Sequence, residues 1–271
     1  MIVRDSDAQH ALCITQIHHS EMTGALAAAW VAGGKLPAPP LPQFCISAAR
    51  LHDIGWLDWE GRPDLSPDTG HPPDFLDMAK RRHLEIWRKG FEDAAAMHPL
   101  LGLLVLRHNL TLAGSDTDVA PPLKNELEKF FAETSETDAR LEKEFTETGL
   151  YPYFGHAEAD AAALQKLSKG QLREMNAFIL LTDYISLRMC MGPERPNPFG
   201  PPPAYSGQPF RFEAVPGYND DGAEVFMMAP WPFAGPAFKW LAPAWQHWRG
   251  EAFSDCRAAT QIAMCLKPFP E

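Results

Sequence analysis

The chain has 271 residues, 45% of them hydrophobic, with 8 Trp, 16 Phe and a formal net charge of −11. That apolar content is ample for the core of one large domain, and the acidic balance argues against nonspecific binding to nucleic acid or an anionic membrane surface. No apolar run approaches the roughly 18 residues that a bilayer-spanning helix needs.

Met1–Asp5 lacks the basic and apolar regions of a signal peptide. Cys13, Cys45, Cys190, Cys256 and Cys265 are scattered with no CxxC, and they read as reduced core thiols of a cytoplasmic protein. Met1–Arg4 and Ala11–Thr15 are short β-favouring runs that suit a hairpin. From Gln16 to Trp30 the Ala content favours helix, and His19, Met22, Leu26 and Trp30 share one face. His19 therefore points inward, either as a hydrogen-bonded core histidine or as a ligand. Gly33–Pro42 breaks that helix.

A second helix is expected over 43–55, ending in His52-Asp53. Trp56–Phe75 reads as a long structured loop, with Trp56, Trp59 and Phe75 to pack it beside the His-Asp pair. A third helix, 76–96, carries His83, Arg81, Arg82, Arg88 and Lys89. A fourth, Met97–Leu110, is strongly apolar and ends in Arg107-His108, where a histidine also suits a helix C-terminus; His98, before Pro99, belongs at its start. Gly114–Val119 is polar. Residues 121–148 read as a solvated helix or helical hairpin, and 157–167 and 170–191 as helices. Asp183 lies inside the most apolar of them, where an uncompensated carboxylate is costly. Beyond the Pro-rich stretch 193–203, Phe210–Val215 and Ala223–Met228 flank a hairpin signal at Gly217–Gly222, and Phe238–Leu241 and Ala258–Leu266 suit strands.

The expected fold is thus mainly α. A helical domain spans residues 1–203, and a small β-rich appendage spans 204–271, which the N-terminal hairpin can join. The polar residues set in apolar helices are His19, His52-Asp53, His83, His108 and Asp183. Imidazole and carboxylate together are good donors for a divalent metal.

This order resembles the HD-domain superfamily of helical metal enzymes, many of them phosphohydrolases. A closer resemblance is to the bacterial DUF3891 family. It is carried by Ile14-Thr15-Gln16 before His19, by His52-Asp53-Ile54-Gly55-Trp56, and by Trp59, Pro63, Gly70 and Phe75. Arg107-His108, Asp183 with Ser186-Leu187, and Pro230-Trp231-Pro232-Phe233 complete it. The superfamily pattern implies His19, His52, Asp53 and Asp183 as ligands of one metal, with His83 and His108 serving a second ion that Asp53 bridges. Asp53, His83 and His108 then form the catalytic set. Many hydrolytic members carry Lys three residues after the Asp; Trp56 stands there, so phosphate binding falls to Arg81, Arg82 or Arg107 beside Trp56.

The implied activity is hydrolysis of a small phosphate ester or nucleotide with one or two divalent ions, Fe, Mn, Co, Ni or Zn. A di-iron oxygenase and a non-catalytic metal-stabilised scaffold are the alternatives. The expected partner is a small-molecule substrate, with neither nucleic acid nor membrane.

Overall fold

The structure is a computed structural model that describes residues 1–7, 9–114, 121–148, 167–251 and 257–270. The expected helix at 157–167 and the polar stretch 114–119 lie almost wholly outside these residues, as does Cys256. The N-terminal runs form the expected antiparallel hairpin, β1 (Ile2–Ser6) with β2 (His10–Ile14). Ile14 leads directly into α1 (Gln16–Gly33). The Thr15 hydroxyl accepts the His18 amide at its start, and Gly34, at φ 62°, ends it in the left-handed region.

Helix α2 (Pro42–Leu51) stops four residues earlier than expected, and His52 occupies its C-cap. Residues 52–55 turn the chain into a short α3 (Trp56–Gly61). Trp56–Phe75 is therefore not a loop throughout: Trp56 and Trp59, one turn apart, are both buried on one face of α3. The irregular stretch after it is pinned by Asp74, which accepts the Val3 amide at 2.9 Å and pairs with Arg195 at 2.8 Å. Next come α4 (Lys80–Met97) and the apolar α5 (Pro99–Gly114). His98 joins them and caps α5, its Nδ1 accepting the Leu100 amide at 3.1 Å. α6 (Pro121–Thr148) is one long helix with an ion-paired outer face, and α7 (Lys169–Met191) opens with a capping box of Ser168 and Gln171.

The expectation of a mainly α bundle with a small β appendage is overturned. β3 (Arg211–Asp220), β4 (Ala223–Ala229), β5 (Phe238–Trp248) and β6 (Arg257–Pro268) join the N-terminal hairpin. Together they make a six-stranded mixed sheet in the order β1-β2-β5-β6-β4-β3. Every pairing is antiparallel except β4 with β6. The β3–β4 hairpin turns on Asp221 and Gly222, both at positive φ (51° and 82°), as a two-residue type I′ turn requires. β5 continues past the expected Phe238–Leu241 through Pro243, a residue that argues against a central strand; a register shift follows at Ala244/Trp245. One apolar core runs from sheet to helices: the Trp30 ring packs edge-on to Phe178, Tyr205 and Phe233 at 5.4, 5.6 and 6.5 Å.

Candidate metal centre

Four helices bring five side chains to one place. His19 comes from the second turn of α1, and His52 and Asp53 from the end of α2. His108 lies on α5 and Asp183 on α7. His19 Nε2 lies 2.9 Å from Asp183 Oδ1, 3.2 Å from His52 Nε2 and 3.7 Å from Asp53 Oδ2. His52 Nε2 is 3.3 Å from Asp183 Oδ1 and 3.4 Å from Asp53 Oδ2, and His108 Nε2 is 3.4 Å from Asp183 Oδ2. Donor atoms about 2.0–2.2 Å from a single cation stand about 2.8–3.6 Å from one another, and all of these separations but the 3.7 Å one fall in that range. Among the described residues two overlapping sets could hold a metal ion: His19, His52 and Asp53, and His52, His108 and Asp183.

The surroundings aim the rings. His52 Nδ1–H donates to Ala49 O at 2.8 Å, which turns Nε2 toward the cluster. His19 Nδ1 lies 3.0 Å from the Ser186 hydroxyl, which donates to Asp183 O at 2.9 Å and meets Thr23 Oγ1 at 2.6 Å. Fixing the second ring nitrogen in this way is how proteins orient ligating histidines. Neither His108 ring nitrogen makes a hydrogen bond to the protein, although the ring is fully buried.

The charges point the same way. Burial opposes ionisation of Asp183, yet His52, His19 and His108 hold its carboxyl well below the ordinary range. Burial likewise opposes the charge on His52, and Asp53 and Asp183 outweigh it to hold that imidazole well above its usual value. Asp53 is held low by His52 and His19 against burial, and burial drives His108 down to about 4. In the metal-free cluster the raised His52 carries positive charge between the two carboxylates, and the imidazole and carboxylate donors could hold a divalent cation in its place.

The other expected residues lie elsewhere. Among the described residues His83 belongs to neither ligand group; its ring lies 5.4 Å from Trp56 and stacks 5.6 Å from Trp87. Trp56 is buried against Trp59. Arg107 forms a two-pronged pair with Asp138 at 2.7 and 2.8 Å and ties α5 to α6. Arg81 pairs with Glu126, and Arg82 with Asp64 and Glu85. Both of these arginines line a cleft of about 480 Å³ together with Trp59, Leu65, Pro73 and Met78. Thr23 and Ser186 were not expected as orienting residues. Their signal is spacing, since Thr23 follows His19 by one turn and Ser186 follows Asp183 by one turn on the same faces.

A family model described as "Protein of unknown function (DUF3891)" matches residues 1–245. The chain belongs to the DUF3891 family. The DUF3891 match takes in all five clustered residues, every helix and β1–β4, and ends inside β5. No curated protein and no solved structure matches the chain. No helix among the described residues of this DUF3891 protein is long and apolar enough to cross a membrane.

Proposed function

We propose that the protein is a metal-dependent hydrolase of small phosphate esters, nucleotides among them, and that its helices carry an HD-type site. The convergence of five donor side chains from four helices, at separations suited to one ion, supports this reading. The chain order His, His-Asp, His, Asp agrees with it. A divalent cation in the site supplies Lewis acidity and makes water nucleophilic near neutral pH.

The chain's own residues do the positioning. Ala49 O and Ser186 hold the His52 and His19 rings with Nε2 turned inward, where each would offer a lone pair to a bound cation. His108, with a pKa of about 4, offers a lone pair rather than a proton. Asp53 and Asp183, each with a tenth of its side chain exposed, are where the cluster meets solvent, and Asp53 is the carboxylate assigned to take a proton from an attacking water. Arg107 is committed to Asp138. The pairs of Arg81 and Arg82 are exposed and therefore weak, so an incoming phosphate can displace their carboxylates. Buried thiols at Cys13, Cys45, Cys190 and Cys265 support a reducing, cytoplasmic setting.

One observation favours a second reading, a structural metal: the three clustered imidazoles are at most 2% exposed, and closed sites are typical of structural ions. Elemental analysis of protein purified without added metal, followed by assay of p-nitrophenyl phosphate and bis-p-nitrophenyl phosphate with Mn(II), separates the two. The hydrolase reading expects about one ion per chain and a rate that rises toward neutral pH without oxygen. An ion that raises the melting temperature but supports no turnover across an ester panel leaves the structural reading. Absence of bound metal rejects both.

A further inference from the structure

Asn109 follows His108 on α5 and is 1% exposed, and neither atom of its amide, Oδ1 or Nδ2, has a hydrogen-bond partner among the described residues. Buried amides are almost always satisfied, because desolvating one without compensation is costly. The stripe Gly102, Leu106, Asn109, Ala113 is buried along its whole length, and Gly102 lies against Ala95 of α4. Since α4 and α5 run antiparallel through His98, the part of α4 level with Asn109 is the turn around Trp87. A leucine would fill that apolar seam at lower cost.

A second orphan adjoins it. His19 and His52 each direct Nδ1 to an oxygen, and His108 Nδ1 has none in the protein. The cations near the seam are engaged: Arg88 with Glu133, Lys89 with Asp93, Arg107 with Asp138. An uncharged amide does not offset an anion, so the matching guest is neutral.

We propose that Asn109 forms a binding site for a neutral oxygen at the α4–α5 seam, either the hydroxyl of a bound hydroxylated molecule or a structural water. The Asn109 observation stands without the metal; the hydroxyl-bearing substrate rests on the hydrolase reading above.

Asn109→Ser and Asn109→Ala leave cavities of similar size and differ by one hydroxyl, so their melting temperatures read the polar partner directly. N109S is expected to melt several degrees above N109A, with unchanged metal content in both. N109A melting at or above N109S rules out the water, and together with an unmoved KM for a hydroxyl-bearing ester it overturns the site. KM values for glycerol 2-phosphate and for p-nitrophenyl phosphate, which lacks a hydroxyl, then identify the source. A KM raised tenfold or more in N109S for the glycerol ester alone assigns the oxygen to substrate. Equal KM values with the N109S–N109A difference intact assign it to water. A wild-type chain that turns over neither ester fails the hydrolase reading and leaves the melting comparison to decide the site.

Discussion

Among the described residues two pairs of buried imidazoles bring ring nitrogens within hydrogen-bonding distance of each other, and they sit in different surroundings. In the first, His19 Nε2 and His52 Nε2 face each other at 3.2 Å between Asp53 and Asp183. In the second, His71 Nδ1 and His247 Nδ1 stand 2.9 Å apart, joining the stretch after α3 to strand β5. His247 Nε2–H donates to Glu251 O at 2.9 Å, so its Nδ1 is bare and accepts the His71 Nδ1–H. Burial first, then His247, lowers the His71 pKa. Proximity of imidazoles alone is therefore no metal signal. The buried carboxylates make the difference, because they raise His52 where His71 is lowered.

The comparison breaks most visibly at Asp183. Asp183→Ala removes the carboxylate that touches all three clustered imidazoles, and so does more than the about 10–100-fold loss of affinity typical of orienting residues. Elemental analysis should find metal in the parent and essentially none in the variant. The parent's chelated form should also melt lower than its loaded form. At a hundredfold excess over Kd a ligand contributes about 2.7 kcal/mol, about 5–10 °C for a chain of this size. Retained stoichiometry in D183A would erase the distinction between the two pairs.

Ser186→Ala is the next step down. It frees His19 Nδ1 while leaving every cluster atom in place, and metal affinity should fall about 10–100-fold. A competition titration against a metal-binding dye that reads the same affinity for S186A and parent would mean that the hydroxyl orients nothing.

The smallest effect belongs to the second pair, and there the sign of the pH dependence matters. The folded pKa of His71 lies below its ordinary 6.5, so the unfolded chain takes up the proton first. Its contribution to stability is full above about 6.5 and is lost as pH falls through the lowered value. His52 in the metal-free protein has the opposite sign: its contribution is full below 6.5 and is lost as pH rises through its raised pKa. His71→Asn keeps an N–H for His247 and removes the titration. Its stability at pH 7.5 should differ from the parent's by about 1 kcal/mol or less. Thermal melts between pH 7 and 5, run at fixed metal, should show a shallower acid decline in H71N; parallel curves would show that His71 does not titrate there.

The His/Asp cluster was legible because His19, His108 and Asp183 interrupt apolar helices and His52-Asp53 ends one, and helical periodicity tells which way His19 points without knowledge of the partner helix. The DUF3891 resemblance was legible for the same reason, its motifs being local strings. The sheet was not. β2 finds β5 across more than 220 residues, and β4 joins β6 in parallel, pairings that no local pattern encodes. The arginines were misleading on similar grounds. Arg81 and Arg107 look free along the chain, and the carboxylates that occupy them, Glu126 and Asp138, come from a helix 45 and 31 residues away. His71 and His247 lie 176 residues apart, each in a segment with no polar-in-apolar contrast to mark it.

Gly55 ends the turn that presents His52 and Asp53, and it sits so close to α4 that an added Cβ would lie 2.1 Å from Ile86 O and 2.7 Å from the Gly90 nitrogen. Main chain rests on main chain there, with no side chain between to absorb a displacement. α4 also supplies Arg81, Arg82 and Glu85 to the cleft wall. The cleft wall and the His-Asp turn thus share one helix and one backbone-to-backbone seat, like two fittings bolted to the same beam.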